Sequence, residues 1–195
     1  MWFTKQIALH LSLALLVLGG GCVPRALPPV AGVTLKPGRF LTAYYAAPGF
    51  AAGKAAYELE PFTIEEAKGV APAAFQSLLQ EVMTQAWEAN GLKVKPSPGA
   101  CRVAGTVGRV SIKGAGFRFI TGRISAELTV SGTITQDGRI VFAFADRVDL
   151  NSPVNPGPPA PKEQEILLRQ AARTFVNHLL TELLLQGPPG ADAEG

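Results

Sequence analysis

Histidine, cysteine and paired acidic side chains build most sites of nucleophilic, acid–base or metal chemistry, and this sequence supplies few of them. Its histidines are His10 and His178, and its cysteines are Cys22 and Cys101. His10 lies in an apolar leader, while His178 sits among Arg173, Thr174, Asn177, Thr181 and Glu182, on what reads as the solvated side of a helix. One usable histidine, one further thiol and no CxxC or paired-histidine spacing assemble neither a zinc site nor a Ser-His-Asp triad. Asp146 and Asp149 stand three apart on or beyond a strand and so point to opposite faces, which suits turn or capping contacts better than a carboxylate pair. Gly114, Gly116 and Gly122 have the composition of a phosphate loop, but a strand follows them and no helix N-terminus is there to hold phosphate. The expectation is a chain with no catalytic residues, no metal and no cofactor.

The chemistry that does stand out is at Cys22. Lys5 is followed by an apolar run over residues 7–18, interrupted by His10 and Ser12, and then by Gly19, Gly20, Gly21 and Cys22. About twelve residues give roughly 18 Å of helix, well short of the ~30 Å hydrocarbon core, so residues 1–21 read as a cleaved signal peptide. Small residues directly before a cysteine, after an apolar run, resemble the lipobox of bacterial lipoproteins. That resemblance implies that Cys22 is acylated on sulfur and becomes the mature N-terminus; ordinary cleavage leaving a free cysteine is the alternative. Two or three acyl chains anchor stably, because each buried CH2 contributes ~0.8 kcal/mol. Val23 stands where lipoproteins retained at the inner membrane often carry aspartate, which favours the outer membrane. Cys101 reads as a small buried residue at a strand start, with an intermolecular disulfide or reactive thiol as the other reading.

Charge supplies a second candidate site. Between residues 92 and 126 there are seven basic side chains (Lys93, Lys95, Arg102, Arg109, Lys113, Arg118, Arg123) and no acidic one. On strands and their connections Arg102, Arg109, Lys113, Arg118 and Arg123 form either ordinary solvated charges or a flank for anionic headgroups, lipopolysaccharide phosphates or an acidic partner. Phe117 and Phe119 lie among them, but an exported chain seldom meets nucleic acid, and none is expected as a partner.

The elements that must position these groups are legible from periodicity. The 195 residues are 47% hydrophobic and 17% charged, which excludes disorder as the overall description and allows one domain with a real core. Gly and Pro together make 37 residues, from 21 and 16, which predicts long ordered loops or loose ends. Residues 22–53 read as the lipidated cysteine, a Pro/Gly-rich tether and an aromatic segment, 40–50, that either lids a pocket or completes the core. A strand is predicted at 55–60, closed by Pro61. Phe75, Leu78, Leu79, Val82, Met83, Ala86 and Trp87 follow helical spacing, with Pro72 suited to the first turn and Gly91 to the stop. A strand at 102–112 leads to a hairpin in which Ile124, Ala126, Leu128, Val130 and Ile134 alternate with polar residues. Gln136, Asp137, Gly138 and Arg139 form its turn, and Ile140, Phe142 and Phe144 continue the inward face. Five prolines in 151–161 exclude a central strand or helix there.

The last helix is predicted over 162–186. Taking Leu167 as zero, Leu168, Ala172, Phe175, Leu179 and Leu183 fall at about 100°, 140°, 80°, 120° and 160°, an arc suited to a sheet, whereas Leu180 and Leu184 fall at about 220° and 260°. Leu180, Leu184 and Leu185 are therefore a candidate interaction patch for a partner, a second copy or a membrane, unless segment 40–50 folds over them. Residues 187–195 read as a disordered tail.

The expected architecture is α+β: a two-layer sandwich, with a mostly antiparallel sheet of about four strands and two helices packed on one face, over residues 54–186. Leu78, Leu79, Gly91 and Val94, followed by Val103, Gly105 and Val107, resemble the "l…l…G…v" and "L.v.G.v" passages of small periplasmic lipoproteins, similar to the lipopolysaccharide-assembly lipoprotein and Tol N-terminal-domain families. That resemblance implies an envelope lipoprotein facing the periplasm, and the lack of a catalytic set together with the over-wide apolar stripe of the last helix suits a non-catalytic outer-membrane adaptor or assembly factor that works with an envelope protein or with further copies of itself. A carrier for lipid, lipopolysaccharide or glycan is the alternative, and an envelope enzyme the third class.

Overall fold

The computed structural model describes residues 30–114, 123–152 and 161–186. The leader, Cys22, Arg118, the 153–160 proline stretch and the 187–195 tail lie outside the described residues.

In chain order the elements are β1 (Lys36–Pro37), β2 (Ala43–Ala46), a 3-10 turn (Ala52–Lys54), β3 (Ala56–Leu59), β4 (Thr63–Ile64), β5 (Ala67–Lys68), α1 (Pro72–Ala89), β6 (Lys93–Val94), β7 (Cys101–Lys113), β8 (Ser125–Gln136), β9 (Arg139–Asn151) and α2 (Pro161–Leu185). The long strands and helices lie where the periodicity puts them. Asp137 and Gly138 both take positive φ, 50° and 75°, so a two-residue turn of the primed type closes the β8–β9 hairpin. Gly91, at φ 73°, ends α1 in the left-handed conformation that glycine adopts without penalty.

The sheet corrects the expectation of about four mostly antiparallel strands. It is a mixed sheet of nine strands in the order β1-β2-β9-β8-β7-β3-β6, with β4 and β5 also on β7. β7, β8 and β9 pair antiparallel, whereas β3, β4 and β5 pair parallel to β7 in succession along its free edge. The additional strands are two to four residues long, too short to display alternation, and exist because their neighbours offer a free ladder. The parallel pairs follow from connectivity. α1 lies between β5 and β7, and a crossover of that length returns the chain in the original direction.

Because β9 runs the same way as β7, the helix after β9 runs back the same way as α1. The walls of the cleft between the helices confirm it, with Ala74 beside Glu165, Val82 beside Arg173 and Asn90 beside Thr181. Both helices cover one face of the sheet. Phe75, Leu79, Met83 and Trp87 of α1 and Leu167, Phe175, Leu179 and Leu183 of α2 are buried on Val103, Val107, Leu128, Ile134, Phe142 and Phe144. Residues 41–52 complete that core, with Leu41, Tyr44 and Phe50 inside it and Tyr44 stacked on Phe142 at 5.8 Å.

At the centre Phe62, Phe144 and Phe175 meet at ring separations of 6.0 to 6.5 Å. Gly105 and Gly132 face each other across β7 and β8 beneath them, and the absence of side chains there makes room for the rings. A Cβ on Gly132 would stand 2.6 Å from Phe144 Cζ and against the Ala104 carbonyl oxygen. Gly132→Ala is expected to lower stability by about 1–3 kcal/mol, the range for forced overpacking, read as a lower urea midpoint. An unchanged midpoint would mean that the aromatic cluster has slack.

Candidate functional site

The opposite, outer face of the sheet carries Arg102, Arg109 and Lys113 of the basic run, and each of these has an acidic partner. Arg102 Nε lies 3.1 Å from Glu60 and 4.0 Å from Glu58, Arg109 lies 2.5 Å from Glu66, and Lys113 lies 2.5 Å from Glu127. Arg147 bridges Glu127 at 3.3 Å and Asp149 at 2.8 Å. Arg123 stands just before β8 and is engaged by a neighbour as well. The acids come from outside the 92–126 window: the parallel ladder brings Glu58, Glu60 and Glu66 alongside β7, and Glu127 lies one residue past the window. The result is a checkerboard of paired charges rather than a field of one sign.

Glu127 is the hub of this face at 8% exposure. The Lys113 ammonium hydrogen-bonded to it holds its carboxyl below the usual glutamate range, and Arg147 and Arg109 act in the same direction. A depressed folded-state pKa means that this contribution is present above the unfolded-state pKa and is lost as pH falls through the folded-state value. Glu127→Gln is therefore expected to lose less stability than the parent protein between neutral and acid pH. Urea unfolding at both pH values measures this, and equal losses would show that the Lys113 pair is not felt in folding.

The candidate leucines divide. Leu180 is 3% exposed and belongs to the main core, Leu184 is half-buried against it, and Leu185 is 53% exposed. The widening stripe that leaves the sheet is met by α1: Asn90 lines a shallow groove with Leu180, Thr181, Leu184 and Leu185. This groove is one end of a longer furrow. Between α1 and α2 three depressions follow one another, of about 400, 210 and 360 Å³, from Ala74 and Leu78 with Leu168, through Ala86 with Val176, to Leu180 and Leu184. Arg169 bonds Glu81 across it at 2.8 Å, and Arg173, Asn177 and Thr181 line it further along.

A buried polar cluster escaped the sequence reading. Glu182, 2% exposed, accepts backbone N–H bonds from Arg39 and Phe40 at 2.8 Å and from Leu41 at 3.4 Å. Asp146 accepts from Thr42 N at 3.0 Å and Thr42 Oγ1 at 3.1 Å, and His178 Nδ1 lies 2.9 Å from its other oxygen. These carboxylates hold the strap from residue 38 to 42 onto α2 and β9. The signal was present: on the projection used above His178 and Glu182 fall at about 20° and 60°, inside the apolar arc rather than opposite it.

Upstream of that strap the chain lies on the outer face. Val33 N–H donates to Val30 O at 3.1 Å, and Val30, Val33 and Leu35 pack with Ala43, Ala143, Ile140 and Ala145. Val30 and Ala31 wall one side of an open depression of about 390 Å³, whose floor is Ala104, Thr106, Ser131 and Thr133 and whose far wall is Glu60, Pro61 and Thr63. Cys101 is fully buried, and burial pushes its thiol pKa up. Among the described residues no group of three or more His, Cys, Asp or Glu side chains could hold a metal, and no helix is long and apolar enough to cross a membrane.

The architecture is similar to that of a DUF330 protein from Xanthomonas campestris, with a TM-score of 0.53 and 14% identity over 72% of this chain and 90% of that one. That likeness is one of fold. Also similar are a minor lipoprotein from Acinetobacter baumannii, with a TM-score of 0.45 and 13% identity over 66% of this chain and 91% of that one, and the PelC dodecamer from Paraburkholderia phytofirmans, with a TM-score of 0.41 and 13% identity over 74% and 96%. No family model matches the sequence, and no curated protein sequence matches it.

Proposed function

We propose that this chain is a lipid-anchored cell-envelope protein, held at the outer membrane through Cys22 and facing the periplasm, that acts by binding a protein partner as an adaptor or assembly factor. The observation that carries the adaptor reading is the furrow between α1 and α2. It has an apolar floor, polar rims and the length of both helices, the shape into which an extended or helical partner segment lies. The carrier reading needs segment 40–50 as a lid, and Leu41, Tyr44 and Phe50 are instead packed inside the core. The lipid anchor rests on Gly19, Gly20, Gly21 and Cys22 after the apolar run.

Arg173 and Asn177 are exposed on the furrow's edge, so an Arg173→Glu, Asn177→Lys double variant leaves the core alone. Purification from detergent-extracted native membranes is expected to yield a stoichiometric protein partner with the parent chain and to lose it with the variant, at an unchanged melting temperature. Bound lipid or glycan in place of a protein, retained by both chains, would contradict the adaptor reading.

A further inference from the structure

Val30 sits over the middle of the sheet, walling a depression floored by β7 and β8, and is not at an edge. Residues 23–29 are all that separate it from Cys22, eight peptide steps in total. Fully extended, eight residues span at most about 27 Å.

We propose that the outer face of the sheet is the membrane-facing surface of this protein and that its partner there is the lipid headgroup layer of the bilayer in which Cys22 is anchored; this rests on lipidation at Cys22. The argument is one of reach. To turn the helix layer toward the bilayer, the chain must first run from the depression to the end of β8, from Thr133 to Gln136, about 10 Å at ~3.4 Å per residue. It must then pass a side-chain-covered sheet and a helix layer of about 10–12 Å, together roughly 15–20 Å. That path takes up the whole span of a taut chain, whereas placing the outer face down needs no extension at all.

The chemistry of the face agrees. Among the described residues the exposed large hydrophobic ones, Phe40, Ile166 and Leu185, lie in the β1–β2 connection and on α2, so none of those described on the sheet face is a large apolar group placed to insert into a bilayer. Around the depression stand the hydroxyls of Thr63, Thr106, Ser131 and Thr133, and beyond them the ion pairs of Arg102, Arg109, Lys113 and Arg147. Charges paired within the face exert little net pull on anionic lipid, so the tether sets the orientation and ionic strength does not. The furrow between α1 and α2 then points away from the bilayer, toward the periplasm.

The test uses the full-length acylated protein in vesicles, with one fluorescent label on Thr63→Cys at the depression or on Gln85→Cys on α1, and an energy-transfer acceptor on lipid headgroups. Cys101 is buried and stays unlabelled. Flotation with the vesicles reports the anchor; quenching reports the face. The expected result is severalfold stronger quenching of the Thr63→Cys label, unchanged by salt and by replacing zwitterionic with anionic lipid. Equal quenching of both labels, or a preference that salt abolishes, overturns the orientation while the anchor stands. A chain that fails to float overturns the anchor and the orientation with it. Inserting roughly twenty Gly/Ser residues before Val30 is expected to equalise the two signals, and a preference that survives overturns the tether as its cause.

Discussion

Leu128→Asp is expected to leave the domain unfolded at room temperature, whereas Thr129→Asp, one residue on, leaves the melting temperature where it was. Leu128 is 1% exposed under the helices in the middle of β8. Removing a core leucine costs about 2–5 kcal/mol, and a carboxylate put in its place has no cation or hydrogen-bond donor to meet it. It must be desolvated or protonated, and the sum approaches the whole stability of a domain this size, about 5–15 kcal/mol. Thr129 faces the other way, and its cross-strand neighbours on either side are Arg109 and Arg147. An aspartate there joins the checkerboard of paired charges, a surface change within about 0.5 kcal/mol. Thermal unfolding followed by circular dichroism separates the two variants, and equal melting curves would mean that the faces of β8 have been exchanged.

The second large effect is expected at Glu182. In Glu182→Ala the backbone N–H groups of Arg39, Phe40 and Leu41 lose their acceptor together. Water can reach the first two, whose residues are exposed, but not the buried Leu41, so the expected loss is about 2–4 kcal/mol. Glu182→Gln keeps an acceptor oxygen and gives up only the charge, for about 1–2 kcal/mol. Amide hydrogen exchange at residues 39–41 should rise in the alanine variant well before exchange in β8 does. Unchanged exchange there would show that Leu35 and Leu41 hold the strap by apolar contact alone.

The elements the sequence displayed were those long enough to have a period. α1 and α2 repeat their apolar residues over 18 and 25 residues, and the β8–β9 hairpin alternates over 12 and 13. β1, β4, β5 and β6 have two residues each, and two residues carry no alternation. Their pairing is a consequence of where α1 returns the chain, which is tertiary information. The charge run from Lys93 to Arg123 was legible as composition, but its acidic partners lie outside it: Glu58, Glu60 and Glu66 come alongside β7 through the parallel pairing, and Glu127 stands on β8. His178 and Glu182 looked solvated because their sequence neighbours are polar. Their angular position on α2, between Leu167 and Phe175, was the better guide, and it points at a polar cluster that fastens residues 38–42. The anchor at Cys22 rests wholly on residue order, a short apolar run and three glycines before a cysteine.

Mass spectrometry of the N-terminus of protein isolated from its native membrane tests the lipid-anchored reading most directly. The expected species begins at Cys22 with two or three acyl chains on that residue, and Cys22→Ser abolishes the modification and leaves a soluble or leader-retaining chain. A native N-terminus with an unmodified Cys22 would contradict the account.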